Sequence, residues 1–252
     1  MQIGKINRYQ LVVLLLLVTL FGCHTKQSIR IFSIGDSTMA DKKPEVFPET
    51  GWGQVLPEYF DATVTIHNHA VNGRSSKSFI DEGRWQLVLD SLQPGDILFI
   101  QFGHNDQKEY DSTRYTTPFG TYTKNLEQFI NEARQKDAEP ILCTSIVRRK
   151  FGEDGKLIDT HGNYPVAMRQ VAKKLNVPLV DLQKRTEKWV NGLGDEASKK
   201  MFVWVETSKN YPEGRKDNTH LSVEGAKNVA KLAMEECKRQ KLDFSDRIYI
   251  KQ

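Results

Sequence analysis

This sequence of 252 residues contains few cysteines, lacks metal-binding spacings and carries little net charge. It contains three cysteines, and none stands in a Cys-x-x-Cys pair or another metal-binding spacing. Cys143 lies in an apolar strand pattern and Cys237 in an amphipathic helical pattern. We therefore expect two buried free thiols rather than a disulfide, and no metal site built on these cysteines.

The formal net charge is +4, and Lys5 and Arg8 account for two of these charges. The rest of the chain carries too weak an excess for the basic surface that is typical of nucleic-acid binding. With 38% hydrophobic residues at this length, the sequence predicts one globular domain, and we expect a monomer.

The apolar run at residues 11–21 is too short to span a bilayer comfortably as a helix. Lys5 and Arg8 precede it, and no acidic residue occurs in residues 1–22, so this segment predicts a secretion signal. It ends in Leu20-Phe21-Gly22-Cys23, which resembles a bacterial lipobox. We expect an exported lipoprotein, anchored to a membrane through lipid on Cys23 alone. An ordinary cleaved signal peptide is the alternative.

Residues 23–29 are predicted to form a short tether, and residues 30–252 a single domain. Apolar or alternating β-branched runs predict strands at residues 30–34, 62–70, 96–102, 140–145 and 177–182. Helical spacing of apolar residues predicts helices at residues 51–60, 78–92, 122–136, 165–175, 182–193, 197–203 and 222–242. This alternation predicts a three-layer α/β/α sandwich with a five-stranded parallel sheet.

The first predicted strand ends at Gly35, and the polar residues Asp36, Ser37 and Thr38 follow it. Ligands bind at the carboxyl edge of an open parallel sheet, and free N–H groups at a helix start can hold an anion. Ser37 is therefore a candidate nucleophile at the start of a predicted helix. The alternative is that Ser37 merely caps that helix.

A serine nucleophile needs a base to accept its proton and a further group to orient that base. Asp217 and His220 stand three residues apart in a predicted turn just before the last helix. A neutral imidazole is available near pH 7, because unperturbed histidine titrates near pH ~6.5. The alternative is a loop-capping aspartate beside a surface histidine.

Three groups are candidates for an oxyanion hole, each at the end of a predicted strand. They are the backbone N–H of Ser37, the backbone N–H of Gly73 and the side-chain amide of Asn105. Glycine permits close approach of the backbone to a ligand, and an uncharged amide donates without competing for the proton. Each of these residues taken alone is more often a turn residue.

Together these positions resemble the four sequence blocks of the SGNH (GDSL) hydrolases, which read here Gly35-Asp36-Ser37, Asn72-Gly73-Arg74, Gly103-His104-Asn105-Asp106 and Asp217–His220. The sequence is most similar to the rhamnogalacturonan acetylesterase branch, as judged also from Gly51-Trp52-Gly53 and residues 72–79. The resemblance covers nearly the whole chain after residue 29. It implies a flavodoxin-like fold, a Ser37–His220–Asp217 triad and no cofactor.

The resemblance predicts a serine esterase that removes O-acetyl groups from a plant cell-wall polysaccharide, with rhamnogalacturonan favoured. Substrate-binding candidates are the basic residues near the predicted edge, the histidine of the third block and one aromatic: Arg74, Lys77, His104, Arg148 and Tyr164. We expect Arg149 and Lys150 to lie on a solvated rim. Trp52 fits either a core position or stacking on a sugar.

The sequence leaves the substrate and the reaction class open. The same chemistry can serve another acetylated glycan such as xylan, or lipids and small esters. The absence of an apolar lid in residues 107–120 and 152–164 argues against long acyl chains. An acyltransferase on the same scaffold, or a non-catalytic glycan-binding lipoprotein, is also compatible with the sequence.

Overall fold

The computed structural model describes residues 28–250, so the predicted signal peptide and Cys23 lie outside the described residues. Five strands form an all-parallel sheet in the order β2-β1-β3-β4-β5, which confirms the predicted fold class. Their bounds are β1 Ile29–Gly35, β2 Val64–Asn68, β3 Ile97–Gln101, β4 Glu139–Cys143 and β5 Leu179–Val180.

Within residues 28–250, six α-helices accompany the sheet: α1 Ser76–Asp81, α2 Arg84–Ser91, α3 Thr123–Gln135, α4 Asn163–Leu175, α5 Leu182–Ser198 and α6 Val223–Gln240. Side chains alternate between the two faces of a strand, and β3 shows this clearly. Phe99 packs into a core with α5 and α6, whereas Leu98 and Ile100 pack into a second core with α1 to α4. No helix within residues 28–250 is long and apolar enough to cross a membrane.

A separate two-stranded antiparallel sheet precedes α6, and the sequence patterns did not predict it. Its strands are β6 Phe202–Val205 and β7 Arg215–Leu221. The predicted helix at residues 197–203 is therefore wrong at residues 202 and 203, which belong to β6, while Lys199–Met201 forms a 3₁₀ helix. Asp217 and His220 lie on β7 rather than in a turn.

Two predicted helices also differ in detail. The segment at residues 78–92 forms two helices, because Gly83 adopts a left-handed conformation with φ of 70° between them. Residues 51–60 form turns and one short 3₁₀ helix, Leu56–Tyr59, instead of an α-helix. Both free cysteines, Cys143 and Cys237, are buried as predicted, and burial raises the pKa of each thiol.

Candidate active site

Ser37 lies in a tight turn directly after β1, not at the start of an α-helix as the sequence predicted. The carbonyl oxygen of Asp36 accepts hydrogen bonds from the N–H groups of Met39 and Ala40 at 3.2 and 3.0 Å. The Asp36 carboxylate accepts from the Thr38 N–H at 2.9 Å and the Thr38 hydroxyl at 2.8 Å. Asp36 thus stabilises the turn through hydrogen bonds to its carboxylate, the same kind of bond by which aspartate caps helices.

The turn does not continue as a helix because its carbonyl groups bond to another segment. Thr38 O accepts from the Trp52 N–H at 3.0 Å, and Met39 O accepts from the Gly53 N–H at 3.1 Å. This approach requires glycine on both sides of Trp52. A Cβ atom on Gly51 would lie 2.1 Å from Ala40 O, and one on Gly53 would lie 2.6 Å from Met39 O.

A buried chain of side-chain hydrogen bonds holds the nucleophile turn on the sheet. Trp52 Nε1 donates to Gln101 Oε1 at 2.6 Å, and Gln101 Nε2 donates to the Thr38 hydroxyl at 2.7 Å. Trp52 and Gln101 are fully buried, so Trp52 is a core residue and does not stack on a sugar. The sequence patterns did not identify Gln101 as a residue that supports the site. A polar residue at the end of the apolar run of β3 is the signal that indicates it.

The structure brings Ser37, His220 and Asp217 into one hydrogen-bonded line. His220 Nε2 lies 3.0 Å from Ser37 Oγ, and His220 Nδ1 lies 2.8 Å from Asp217 Oδ2. Asp217 Oδ1 also accepts the backbone N–H groups of Thr219 and His220 at 2.8 and 2.9 Å. This is the geometry that a nucleophile, a base and an orienting carboxylate require.

The Asp217 carboxylate is held in its ionised form. Burial alone would raise its pKa, but the hydrogen bonds and charge of His220 outweigh burial and keep the pKa well below its usual range. Arg215 Nη2 donates to Asp217 Oδ2 at 2.5 Å, and Arg215 Nη1 lies 3.4 Å from the buried Glu49 carboxylate. The sequence patterns did not identify Arg215 as a partner of Asp217. Its position two residues before Asp217 puts both side chains on one face of β7.

The three predicted oxyanion-hole groups lie around the same cavity as Ser37. The N–H groups of Ser37 and Gly73 donate no hydrogen bond to any residue within 28–250. Gly73 has a φ of 77°, a conformation that other residues rarely adopt. The Asn105 amide donates to Arg74 O at 3.1 Å, which ties the Gly73 loop to the loop that follows β3.

His104 is almost fully buried where it lines the cavity, and its Nδ1 lies 3.3 Å from Asp36 Oδ2. Burial lowers the pKa of His104 despite the nearby Asp36 carboxylate. Burial raises the pKa of Asp36, but His104 and the hydrogen bonds from Thr38 hold it below its ordinary value. His104 therefore supports the nucleophile turn through Asp36.

Asp106 is fully buried beside these residues and does not line the cavity. Its carboxylate accepts from the Ser76 hydroxyl at 2.5 Å and the Thr116 hydroxyl at 3.1 Å. Burial outweighs these bonds and raises the pKa of Asp106 to about 7. Tyr164 is buried in the same region, and its hydroxyl donates to Asp106 O at 3.0 Å. Tyr164 does not line the cavity that contains Ser37, so this position does not fit the substrate-binding role predicted for it.

The cavity above Ser37 has a volume of about 510 Å³ and a largely polar lining. Of the predicted substrate-binding residues, His104 and Arg148 line it. Arg74 and Lys77 line a neighbouring cavity instead, where Arg74 pairs with Glu82 at 3.0 Å and Lys77 Nζ donates to a backbone carbonyl.

The prediction that Arg149 lies on a solvated rim is wrong, since only 4% of this residue is exposed. Its guanidinium contacts the Asp195 carboxylate and donates to Asn218 Oδ1 at 2.9 Å. Arg149 thus connects β7 to α5, and it contacts β7 at the residue next to Asp217. Lys150 is exposed, in agreement with the prediction.

Residues 33–227 match the model of the GDSL-like lipase/acylhydrolase family. The chain belongs to this family. It is 43% identical over 225 residues to the rhamnogalacturonan acetylesterase RhgT of Bacillus subtilis (strain 168), covering 88% of this chain and 95% of that protein. The family and the triad geometry together identify a carboxylic ester hydrolase.

Two solved structures share the fold. The X-ray structure of Bacillus subtilis YxiM superposes with a TM-score of 0.72 at 26% identity, covering 86% of this chain and 58% of that one. The chain therefore spans little more than half of that protein. A catalytic mutant of Axe2, an acetylxylan esterase from Geobacillus stearothermophilus, gives a TM-score of 0.62 at 17% identity, covering 83% of this chain and 94% of that one. At that identity the likeness concerns the fold alone.

Proposed function

We propose that this protein is a carbohydrate acetylesterase that removes O-acetyl groups from rhamnogalacturonan. The observation that carries the chemistry is the Ser37–His220–Asp217 line, with contacts of 3.0 and 2.8 Å. The substrate assignment is supported by the 43% identity to RhgT over most of both chains.

Ser37 Oγ attacks the acetyl carbonyl carbon while His220 Nε2 accepts the serine proton. His220 Nδ1 then donates to the ionised Asp217 carboxylate, which stabilises the imidazolium. The negative charge that develops on the carbonyl oxygen is met by the N–H groups of Ser37 and Gly73 and by the Asn105 amide. These donors are fixed before the reaction begins, so little reorganisation is needed.

The tetrahedral intermediate collapses when His220 protonates the departing sugar oxygen. An acetyl group remains on Ser37, and a water molecule deprotonated by His220 attacks it in the second half of the reaction. Acetate leaves and the serine regains its proton. The polar cavity, about 510 Å³ in volume, suits a short acyl group on a sugar better than a long acyl chain.

Acetate release from acetylated rhamnogalacturonan, acetylated xylan and a long-chain ester tests this proposal. We expect the highest kcat/KM on acetylated rhamnogalacturonan and loss of activity on all three in Ser37→Ala, with the fold retained by circular dichroism. Preference for xylan would overturn the substrate assignment and leave the esterase chemistry standing. Wild-type turnover by pure Ser37→Ala would overturn the mechanism.

We also propose that the mature protein is a lipoprotein anchored through Cys23. The support is the basic, apolar and Cys-terminated order of residues 1–23. In cell fractionation, wild-type protein should sediment with membranes and Cys23→Ser should become soluble or remain unprocessed. A soluble wild-type protein whose amino terminus is not residue 23 contradicts the proposal. Stable anchoring requires more than one acyl chain, which mass spectrometry would detect.

A further inference from the structure

Two cationic side chains that line the Ser37 cavity make no ion pair with a carboxylate within residues 28–250. The Lys108 side chain is half-buried there and makes no hydrogen bond or ion pair with any residue within 28–250. The Arg148 guanidinium donates to uncharged groups, namely His104 O at 3.2 Å and Thr160 O at 3.2 Å. Within the same residues it has no ion pair either.

Of the other cations near the site, Arg215 and Arg74 have carboxylate partners, whereas Lys77 in the neighbouring cavity has none within residues 28–250. Arg215 contacts both Asp217 and Glu49, and Arg74 pairs with Glu82. The positive charge that remains for a ligand in this cavity is therefore concentrated on Lys108 and Arg148. Burial and the charges of Arg114 and Arg148 lower the pKa of Lys108, although the charges of Asp111 and Asp36 act in the opposite direction.

We propose that Lys108 and Arg148 form a subsite for the carboxylate of a uronic acid residue next to the acetylated sugar. The inference rests on the proposed function, and it deepens that function by assigning recognition of an acidic glycan to two residues. It also moves this recognition away from Arg74 and Lys77, whose charges face a neighbouring cavity. A planar guanidinium can bind a carboxylate through two hydrogen bonds, and an ammonium adds a point charge.

Lys108→Gln tests the subsite because the Lys108 side chain makes no hydrogen bond or ion pair in the described part of the chain. The matched control is Lys124→Gln, which removes one charge from the exposed face of α3. The substrates are acetylated rhamnogalacturonan and the same polymer with its carboxyl groups methyl-esterified. Acetate release reports hydrolysis of the acetyl esters and not of the methyl esters.

We expect Lys108→Gln to lower kcat/KM on the acidic polymer about tenfold, the lower range for a hydrogen bond to a charged group, chiefly through KM. The loss on the methyl-esterified polymer should be much smaller, and Lys124→Gln should show no such difference. Arg148→Lys, which keeps the charge, should lose less selectivity than Arg148→Gln. Equal losses on the two polymers in Lys108→Gln would overturn the subsite.

Direct binding separates this inference from the proposed function. Calorimetry with digalacturonate and neutral galactobiose needs no catalysis and can use Ser37→Ala. Tighter binding of digalacturonate that is lost in Lys108→Gln supports the subsite, even if acetylated rhamnogalacturonan is not a substrate. Equal binding of the two sugars, or digalacturonate binding that Lys108→Gln leaves unchanged, refutes the subsite even if the enzyme releases acetate.

Discussion

Replacing Asn105 by alanine separates transition-state stabilisation from substrate binding. The Asn105 side chain is 4% exposed, lines the cavity with Ser37, and anchors the Gly73 loop through Arg74 O. Loss of one oxyanion donor typically lowers kcat by about 10²–10³. Because that hydrogen bond strengthens only as charge develops, KM should change little. The anchoring bond adds a loss of about 1 kcal/mol of folding stability.

Steady-state kinetics on a small acetyl ester, with urea unfolding in parallel, would measure both effects. The control is Asn72→Ala, the same substitution at an exposed residue of the same cavity, and its effect on kcat should be far smaller. A raised KM with unchanged kcat in Asn105→Ala would mean that Asn105 binds the ground-state substrate. The oxyanion assignment would then be refuted.

Three further predictions concern the scaffold and metal ions. Gly51→Ala should destabilise the fold by about 3 kcal/mol or more and impair catalysis, since its Cβ would lie 2.1 Å from Ala40 O; Gly192→Ala, with open space around it, should be tolerated. Asp106 keeps a proton in the folded chain that the unfolded chain loses, so its contribution to stability should fall between about pH 4 and pH 7 by roughly 1 kcal/mol per pH unit, as the pKa of about 7 requires. Urea unfolding of Asp106→Asn should lack that slope, and an identical slope would contradict the burial argument. Hydrolysis should survive EDTA, because no cluster of three metal-ligating side chains occurs within residues 28–250; activity restored by an added divalent ion would contradict this.

The sheet and the site blocks were predictable because strong local signals carry them. Continuous apolar runs such as residues 97–100 have few alternatives to a buried parallel strand. The catalytic candidates follow strand ends, and a parallel sheet brings those ends to one edge. Ser37, Gly73, Asn105 and His220 therefore lie around one cavity, as the chain order of the blocks indicated.

The rest depended on contacts between distant segments. β7 is polar and half-buried, so neither hydrophobic periodicity nor propensity marks it as a strand. The turn after β1 has helix-capping residues, yet its carbonyls accept hydrogen bonds from Trp52 and Gly53, which belong to a separate turn segment. The pairing of Arg74 with Glu82, and the lack of a partner for the Lys108 side chain within residues 28–250, are likewise set by loop conformation rather than by residue type.

Ser37 follows β1 of the parallel sheet, whereas His220 lies on β7 of the two-stranded sheet. This separation affects the point during synthesis at which the enzyme becomes active. Ser37 and His220 are 183 positions apart, and β7 lies near the end of the described chain. Synthesis proceeds from the amino terminus, so a growing chain contains its nucleophile well before its base. Docking of β7 must then close a long loop, a step whose entropic cost rises with chain separation. A chain that has not yet added β7 therefore lacks the base, and ester hydrolysis begins only after β7 has docked beside Ser37.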